Sequence, residues 1–455
     1  MSGTNQTWDV LADVTQRANR YLTGVGDRRV VPADDAVTAL EAFNVPLQDE
    51  SIAPAKVIEE MDRIGEPATV AIAGPRYFGF VNGGALPAAV AANWLSTAWD
   101  QHGAFRISGT PAVYLERVAM RWIIDVLGLP SQSTGAFVTG TSVADMTCLA
   151  AGRDALLDRV GWNARDNGLF GAPPVTVIVS DETHSTFFKA LGVIGLGRGR
   201  VVRVPVDEQG RMRADAIPPL NGPTIICLQA GNVNTGSFDP IRPIIERVRT
   251  SNAPAWVHVD GAFGIWARCA PARAHLADGV DLADSWATDG HKWLNLPYDC
   301  GMAIVRDGDA LRRTMSLRAE YLPSDDANPC DYTPEASRRA RGVDAWAALR
   351  SLGRSGLADL VERNCRMARR FADAFAEAGY PVLNDVVLNQ VMVSFGDPER
   401  TRRVIAGVQA DGTCWCGPTV WQGQTAMRVS VISWLTTDAD VDRSIHAILR
   451  IAAAV

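Results

Sequence analysis

The residue with the most distinctive chemistry is Lys292, in the run Thr288-Asp-Gly-His-Lys-Trp-Leu294. It lies between one apolar strand candidate and another that starts at Gly301, an odd place for a surface lysine. Burial disfavours the ammonium form, so a buried lysine is a nucleophile that can condense with a carbonyl as a Schiff base. The plainer alternative is a lysine at the edge of a strand. A second reactive position is Asp260, which closes the apolar run Trp256-Val-His-Val259 and precedes Gly261-Ala-Phe-Gly264. Open α/β sheets gather their ligands at the carboxyl ends of such strands. A carboxylate there can keep a bound pyridine nitrogen protonated, which makes the ring an electron sink. The competing role is a turn or helix N-cap.

Three more features point the same way without being decisive alone. Gly140-Thr141-Ser142 opens a helical run over 143–159 with Met146, Leu149, Leu156 and Leu157 as its apolar residues. Free amides and two hydroxyls at a helix start suit a phosphate, although Ser or Thr also begins ordinary helices. His184, in Asp181-Glu-Thr-His-Ser-Thr-Phe-Phe188, follows a strand candidate, and His291 immediately precedes the lysine. His184 can lie flat on an aromatic ring; a hydrogen-bonded structural role is the alternative for either histidine.

These side chains need a frame that brings strand ends together. Residues 175–180, 201–206, 224–228, 256–259 and 301–305 are near-continuous apolar runs, as buried, mostly parallel strands are. Alternation of such runs with helical ones predicts an α/β sheet with crossover helices. Beyond residue 340 the pattern changes to helices over 345–352 and 357–378, then strand candidates at 390–395 and 427–432. A last helix begins at Thr437, where Asp440 completes a capping box and Ile445, Ile448 and Leu449 form an apolar stripe. The division expected is a helical segment over 1–75, a large domain over 76–340 and a small domain over 341–455. In the first segment Trp8, Val10, Leu11 and Val14 share one helical face.

The chain has 455 residues, 47% hydrophobic and 21% charged, enough to bury large cores. A net charge of -7 and a pI near 5.5 give no attraction for nucleic acid or anionic membranes. The first thirty residues lack the apolar run of a signal peptide or spanning helix, so a cytoplasmic location is expected. Eight scattered cysteines show no paired metal-ligand spacing, Cys414-Trp-Cys416 is read as two reduced thiols, and no metal is assigned.

In chain order, Gly-Thr-Ser before a helix, Asp-x-x-His after a strand, His-Val-Asp-Gly-Ala, and His-Lys-Trp followed by Asp299-Cys300-Gly301 make a specific set. From about Phe78 to the C-terminus it resembles the group II pyridoxal-phosphate-dependent decarboxylases, the family of aromatic amino acid, glutamate and histidine decarboxylases. The resemblance implies the aspartate aminotransferase fold: an α/β protein with a mostly parallel seven-stranded sheet and a smaller α+β C-terminal domain. It implies pyridoxal 5'-phosphate as cofactor, carried as an imine on Lys292. Asp260 would partner the pyridine nitrogen, His184 would stack on the ring, Ala262 would pack against its face and His291 would border it. Thr141 and Ser142 would bind the phosphate. Asn234 would also touch the cofactor, although Gly231-Asn-Val-Asn-Thr-Gly236 replaces a threonine-rich version in the best-known relatives.

Tyr321, 321 − 292 = 29 residues past the lysine, matches the tyrosine of the family's mobile catalytic loop and would donate a proton. The polar, turn-rich residues 323–330 suit a lid. Arg428 matches a small-domain arginine whose planar fork can meet a substrate carboxylate. The implied reaction is decarboxylation of an L-amino acid to an amine and carbon dioxide. Aldehyde synthases, which tend to carry phenylalanine at the loop tyrosine, and aminotransferases share the fold. No basic residue stands in Phe80-Val-Asn-Gly-Gly-Ala85, which leans toward an aromatic or other apolar substrate. A homodimer with shared active sites is implied by the family alone.

Overall fold

The computed structural model describes residues 8–316 and 328–455. The apolar runs become a seven-stranded sheet of β1 (Thr134–Val138), β2 (Thr176–Ser180), β3 (Val201–Val204), β4 (Thr224–Gln229), β5 (Ala255–Asp260), β6 (Ser285–Asp289) and β7 (Gly301–Val305). Their order is β1-β7-β6-β5-β4-β2-β3. Pairing is parallel from β3 through β2, β4 and β5 to β6, and antiparallel between β7 and both its neighbours. Parallel neighbours require crossover connections that cover the faces, and every residue of β4, β5, β6 and β7 is buried. The mostly parallel seven-stranded sheet is therefore present.

Strand alternation decides which residues reach the site. His258 and Asp260 on β5 share a face with Ser285 and Asp289 on β6, because His258 pairs in register with Ser285. The helix Thr141–Arg159 covers that face with Ala144, Cys148 and Leu149, packed among Trp256, Ala287 and Ala303. Gly301 lets the start of this helix approach: a Cβ there would lie 2.4 Å from the Gly140 Cα.

The C-terminal part holds a second, antiparallel sheet of β8 (Gln390–Val393), β9 (Gly417–Trp421) and β10 (Gln424–Ser430), with β10 central. Its core gathers Phe371, Phe375, Val391, Phe395, Met427 and Val429. The two helices expected over 345–378 run together as Arg341–Glu377, jointed at Gly353 with φ 60°. The last helix, Asp438–Ala454, opens on the expected capping box of Thr437 and Asp440. β9 was not anticipated, since Gly417 and Pro418 weaken its strand pattern and suit it to an edge.

The small sheet is fastened to the large one beside the site. Phe78 N donates to Trp415 O at 2.8 Å, Ser430 N to Phe78 O at 3.0 Å, and Asn295 Nδ2 to Ile432 O at 3.2 Å. At the other end, the helix Asp9–Gly24 contains no buried residue, and Trp8 and Leu11 are 68% and 51% exposed.

Candidate active site

A cavity of about 430 Å³ opens at the carboxyl edge of the sheet. Thr141, Ser142, His184, Asp260, Ala262, His291, Lys292 and Arg428 all line it. Each reaches it for a local reason. Asp260 ends β5, and the Ala262 amide donates to its Oδ1 at 3.1 Å. Lys292 sits in the turn after β6, which Asn295 closes by donating to Trp293 O at 2.8 Å. Gly83 packs onto that turn so closely that a Cβ would lie 2.3 Å from the Lys292 carbonyl oxygen. Phe80, Val81 and Asn82 are thereby pinned to the same wall. Thr141 begins its helix after β1, His184 caps the helix Ser185–Val193 after β2, and Arg428 projects from β10.

The electrostatics are those of a buried, mixed-charge site. Burial pushes the Asp260 carboxyl up, while His184 and the Lys292 ammonium pull it back toward ionisation. Burial pushes the imidazoles of His184 and His291 down, against the opposing pull of Asp260 on the first and Asp289 on the second. Arg428 is likewise lowered by burial. His184 Nδ1 lies 2.7 Å from the Thr186 hydroxyl, and His291 Nδ1 accepts from the Cys300 amide at 3.2 Å, which fixes both rings.

Two residues of the cavity were not singled out in the sequence. Asp289, the last residue of β6, accepts from Thr141 N at 2.7 Å and from Lys292 Nζ at 2.8 Å. Burial raises its pKa, but the charges of Lys292 and His291 and these bonds outweigh that and hold it below the usual carboxylate range. Its signal was the one that marked Asp260: a carboxylate closing an apolar strand. The other is Tyr298, stacked on His291 with centroids 4.5 Å apart and donating from its hydroxyl to Asn82 Oδ1 at 2.5 Å. Crowding around that hydroxyl, with Asp289 nearby, pushes its pKa up to about 12.

Asn234 is the expected cofactor contact that the structure places elsewhere. It is absent from the cavity lining, and its Oδ1 accepts from Thr419 Oγ1 at 2.7 Å and from Arg428 Nη1 at 3.3 Å. The cause is local: Asn232 Oδ1 accepts from the amides of Asn234 and Thr235, an Asx turn that points Asn234 at the small sheet. Asn234 thus braces Arg428, which also donates to Val233 O at 3.2 Å. Tyr321 lies outside the described residues.

The donor set fits a phosphorylated pyridine aldehyde. The Thr141 hydroxyl oxygen is buried, lies at a helix start and has no hydrogen-bond partner among the described residues, an orphan that a phosphate oxygen would satisfy. Across the same cavity stand an amine for the aldehyde and a carboxylate for a pyridine nitrogen. Fold and site together fit a pyridoxal-phosphate protein.

The model of the pyridoxal-dependent decarboxylase conserved domain matches residues 38–395. The chain belongs to the pyridoxal-dependent decarboxylase family, whose cofactor is pyridoxal phosphate. It is similar to the aromatic-L-amino-acid decarboxylase of Bacillus atrophaeus, 26% identical over 312 residues, 65% of this chain and 62% of that protein. The match therefore spans about three fifths of that relative's length. It is also similar to the phenylacetaldehyde synthase of Petunia hybrida, 26% identical over 73% of this chain and 68% of that protein. Among solved structures, Oryza sativa TDC with PLP and tryptamine superposes with a TM-score of 0.90 at 23% identity, covering 100% of this chain and 99% of that one. This likeness speaks for the fold.

Proposed function

We propose that the protein decarboxylates an L-amino acid, releasing the amine and carbon dioxide. The observation that carries this reading is the convergence of Lys292, Asp260, His184 and Arg428 on one cavity in a chain of this family. Lys292 would hold the aldehyde carbon, Asp260 the pyridine nitrogen, and Thr141 and Ser142 the phosphate. When bound, pyridoxal phosphate supplies an electron-withdrawing ring that accepts the electron pair freed when a bond to the substrate Cα breaks. The chain's own residues decide which bond that is.

Arg428 is fixed by Asn234 and the Val233 carbonyl, so its remaining donors are preorganised for an anionic group. His184, held by Thr186, provides a flat face beside Asp260. Burial raises the Asp260 carboxyl, and His184, Lys292 and the Ala262 amide oppose that rise. Tyr321 is assigned the proton delivered to Cα after carbon dioxide leaves, by the resemblance alone. Phe80 and Val81, with the Tyr298–Asn82 pair, form a wall without a cation, which favours an aromatic or other apolar side chain.

Incubation with cofactor and single L-amino acids, followed by mass spectrometry, is the direct test. Amine with an equal yield of carbon dioxide supports the reading. Aldehyde with peroxide would instead establish the aldehyde synthase chemistry that the Petunia hybrida relative is named for.

A homodimer is part of this proposal. Trp8, Leu11, Val37, Phe43, Val57 and Met61 are exposed along the helices of the N-terminal segment, an apolar surface that a second copy would cover. Unpaired thiols at all eight cysteines support a reducing, cytoplasmic location.

A further inference from the structure

Asp289 joins two parts of the site with different oxygens. Its Oδ1 accepts from the amide of Thr141, at the positive end of the Thr141–Arg159 helix, at 2.7 Å. Its Oδ2 accepts from Lys292 Nζ at 2.8 Å, and His291 Nε2 stands 3.6 Å from Oδ1. The Asp289 side chain is 4% exposed. Burying a carboxylate is costly unless charges and donors meet it, and here both do. Its backbone is held as firmly as its side chain: Asp289 N donates to Ala262 O at 2.9 Å, and Asp289 pairs with Gly301, which itself packs on Gly140. The residue therefore sits at a fixed point between the helix start that would receive a phosphate and the amine that would receive an aldehyde.

We infer that Asp289 is a positioning residue, which fixes the Lys292 nitrogen relative to the phosphate-binding helix start and keeps positive charge on that nitrogen in the cofactor-loaded protein. The inference rests on the reading of Lys292 as the residue that bears the cofactor. Among the described residues, the other titratable groups around this nitrogen are Asp260 on β5, Asp145 on the Thr141–Arg159 helix, His291 in its own turn, Tyr298 stacked on it, His184 and Arg428. Of the hydrogen-bonded carboxylates among them, Asp289 alone contacts the Lys292 nitrogen directly. A negative charge at this distance favours the protonated form of the nitrogen, so removing it moves the protonation midpoint to lower pH.

The test compares the cofactor-saturated wild type with Asp289→Asn and Asp289→Ser. Asn keeps the shape and an acceptor for the Thr141 amide; Ser keeps an acceptor in less volume. Two readouts serve: the pH midpoint of the visible cofactor band, and the cofactor Kd from fluorescence titration. Both variants should show the midpoint about one pH unit or more lower, and a Kd about tenfold weaker, as expected for losing a charge-assisted contact. A residue needed only for folding would lower the melting temperature and leave the midpoint where it was. An unmoved midpoint in either folded variant overturns the inference, and so does a tighter Kd, which would mean that the carboxylate repels the phosphate. A wild type with no pH-dependent band and no adduct on Lys292 overturns the underlying reading of the lysine as well, which separates the two failures.

Discussion

Two acid–imidazole clusters lie on the same face of the sheet, one step apart along β5 and β6. The upper one, with Asp260, Asp289, His184, His291 and Lys292, lines the cavity. The lower one is sealed: His258 Nε2 lies 3.1 Å from Asp145 Oδ1, and its Nδ1 lies 2.9 Å from Ser285 Oγ, which also accepts from Trp256 Nε1 at 2.8 Å. The side chains of His258 and Asp145 are wholly buried. Among the described residues no lysine or arginine bonds to the lower pair, and burial is the largest influence on both groups, with the charges of Asp260 and Asp289 adding to it at Asp145. The His258 imidazole is pushed down to about 3, which leaves it neutral at pH 7, and the Asp145 carboxyl is pushed well above its usual range. In the upper cluster Lys292 and His291 hold Asp289 ionised instead. The same residue types thus form a sealed joint in one place and line an open cavity in the other. Access to a cavity and the presence of cations make the difference.

Substitutions in the two clusters should therefore separate activity from stability. The largest effect is expected for Lys292→Ala, which removes the covalent attachment: kcat should fall about 10⁴-fold or more with the melting temperature nearly unchanged. Asp260→Asn should cost about 10³-fold in kcat, because a neutral amide no longer favours a protonated ring nitrogen, and the absorbance of the bound cofactor should shift with it. Arg428→Lys should lower kcat/KM about 10²-fold, since a point charge does not replace the planar fork braced by Asn234.

His258→Gln should invert the pattern, destabilising the fold by about 2 kcal/mol while the loaded enzyme at 25 °C keeps its activity within about threefold. Its pH dependence has a definite sign. The folded pKa of His258 lies below the unfolded value of 6.5, so the unfolded chain binds the extra proton and stability is lost as pH falls from 6.5 toward 3. Thermal melts at pH 7 and pH 5 should show this acid loss shrinking in the variant; an unchanged slope would contradict the neutral assignment. The smallest effect is expected for Tyr298→Phe, under about tenfold in kcat/KM, read as a change in substrate preference because its hydroxyl bonds Asn82 on the cavity wall.

What the sequence disclosed follows from the same distinction. Lys292 and Asp260 were legible because a polar residue ending a buried apolar run must face either a turn or a site. Five of the seven large-sheet strands were legible from their apolar runs. Asp289 gives the same signal but stands in a run whose lysine attracts the attention. His258 was hidden inside Trp256-Val-His-Val259, where a histidine can be core or site, and only its partner Asp145, 258 − 145 = 113 residues away, resolves which. Asn234 shows what a resemblance does not carry: it supplies positions, whereas the Asx turn made by Asn232 sets the direction of the side chain. β9 went unread because an edge strand with Gly417 and Pro418 carries no alternation to detect.

The central claim is that one lysine bears the cofactor, and the chain contains only three lysines, Lys56, Lys189 and Lys292. Lys56 and Lys189 are exposed, while Lys292 lines the cavity. Borohydride reduction of the cofactor-loaded protein would freeze the linkage as a stable amine, and peptide mapping by mass spectrometry would locate it. The account predicts a single pyridoxyl group per chain, on Lys292. A label on Lys56 or Lys189, or spread over the three, would contradict it.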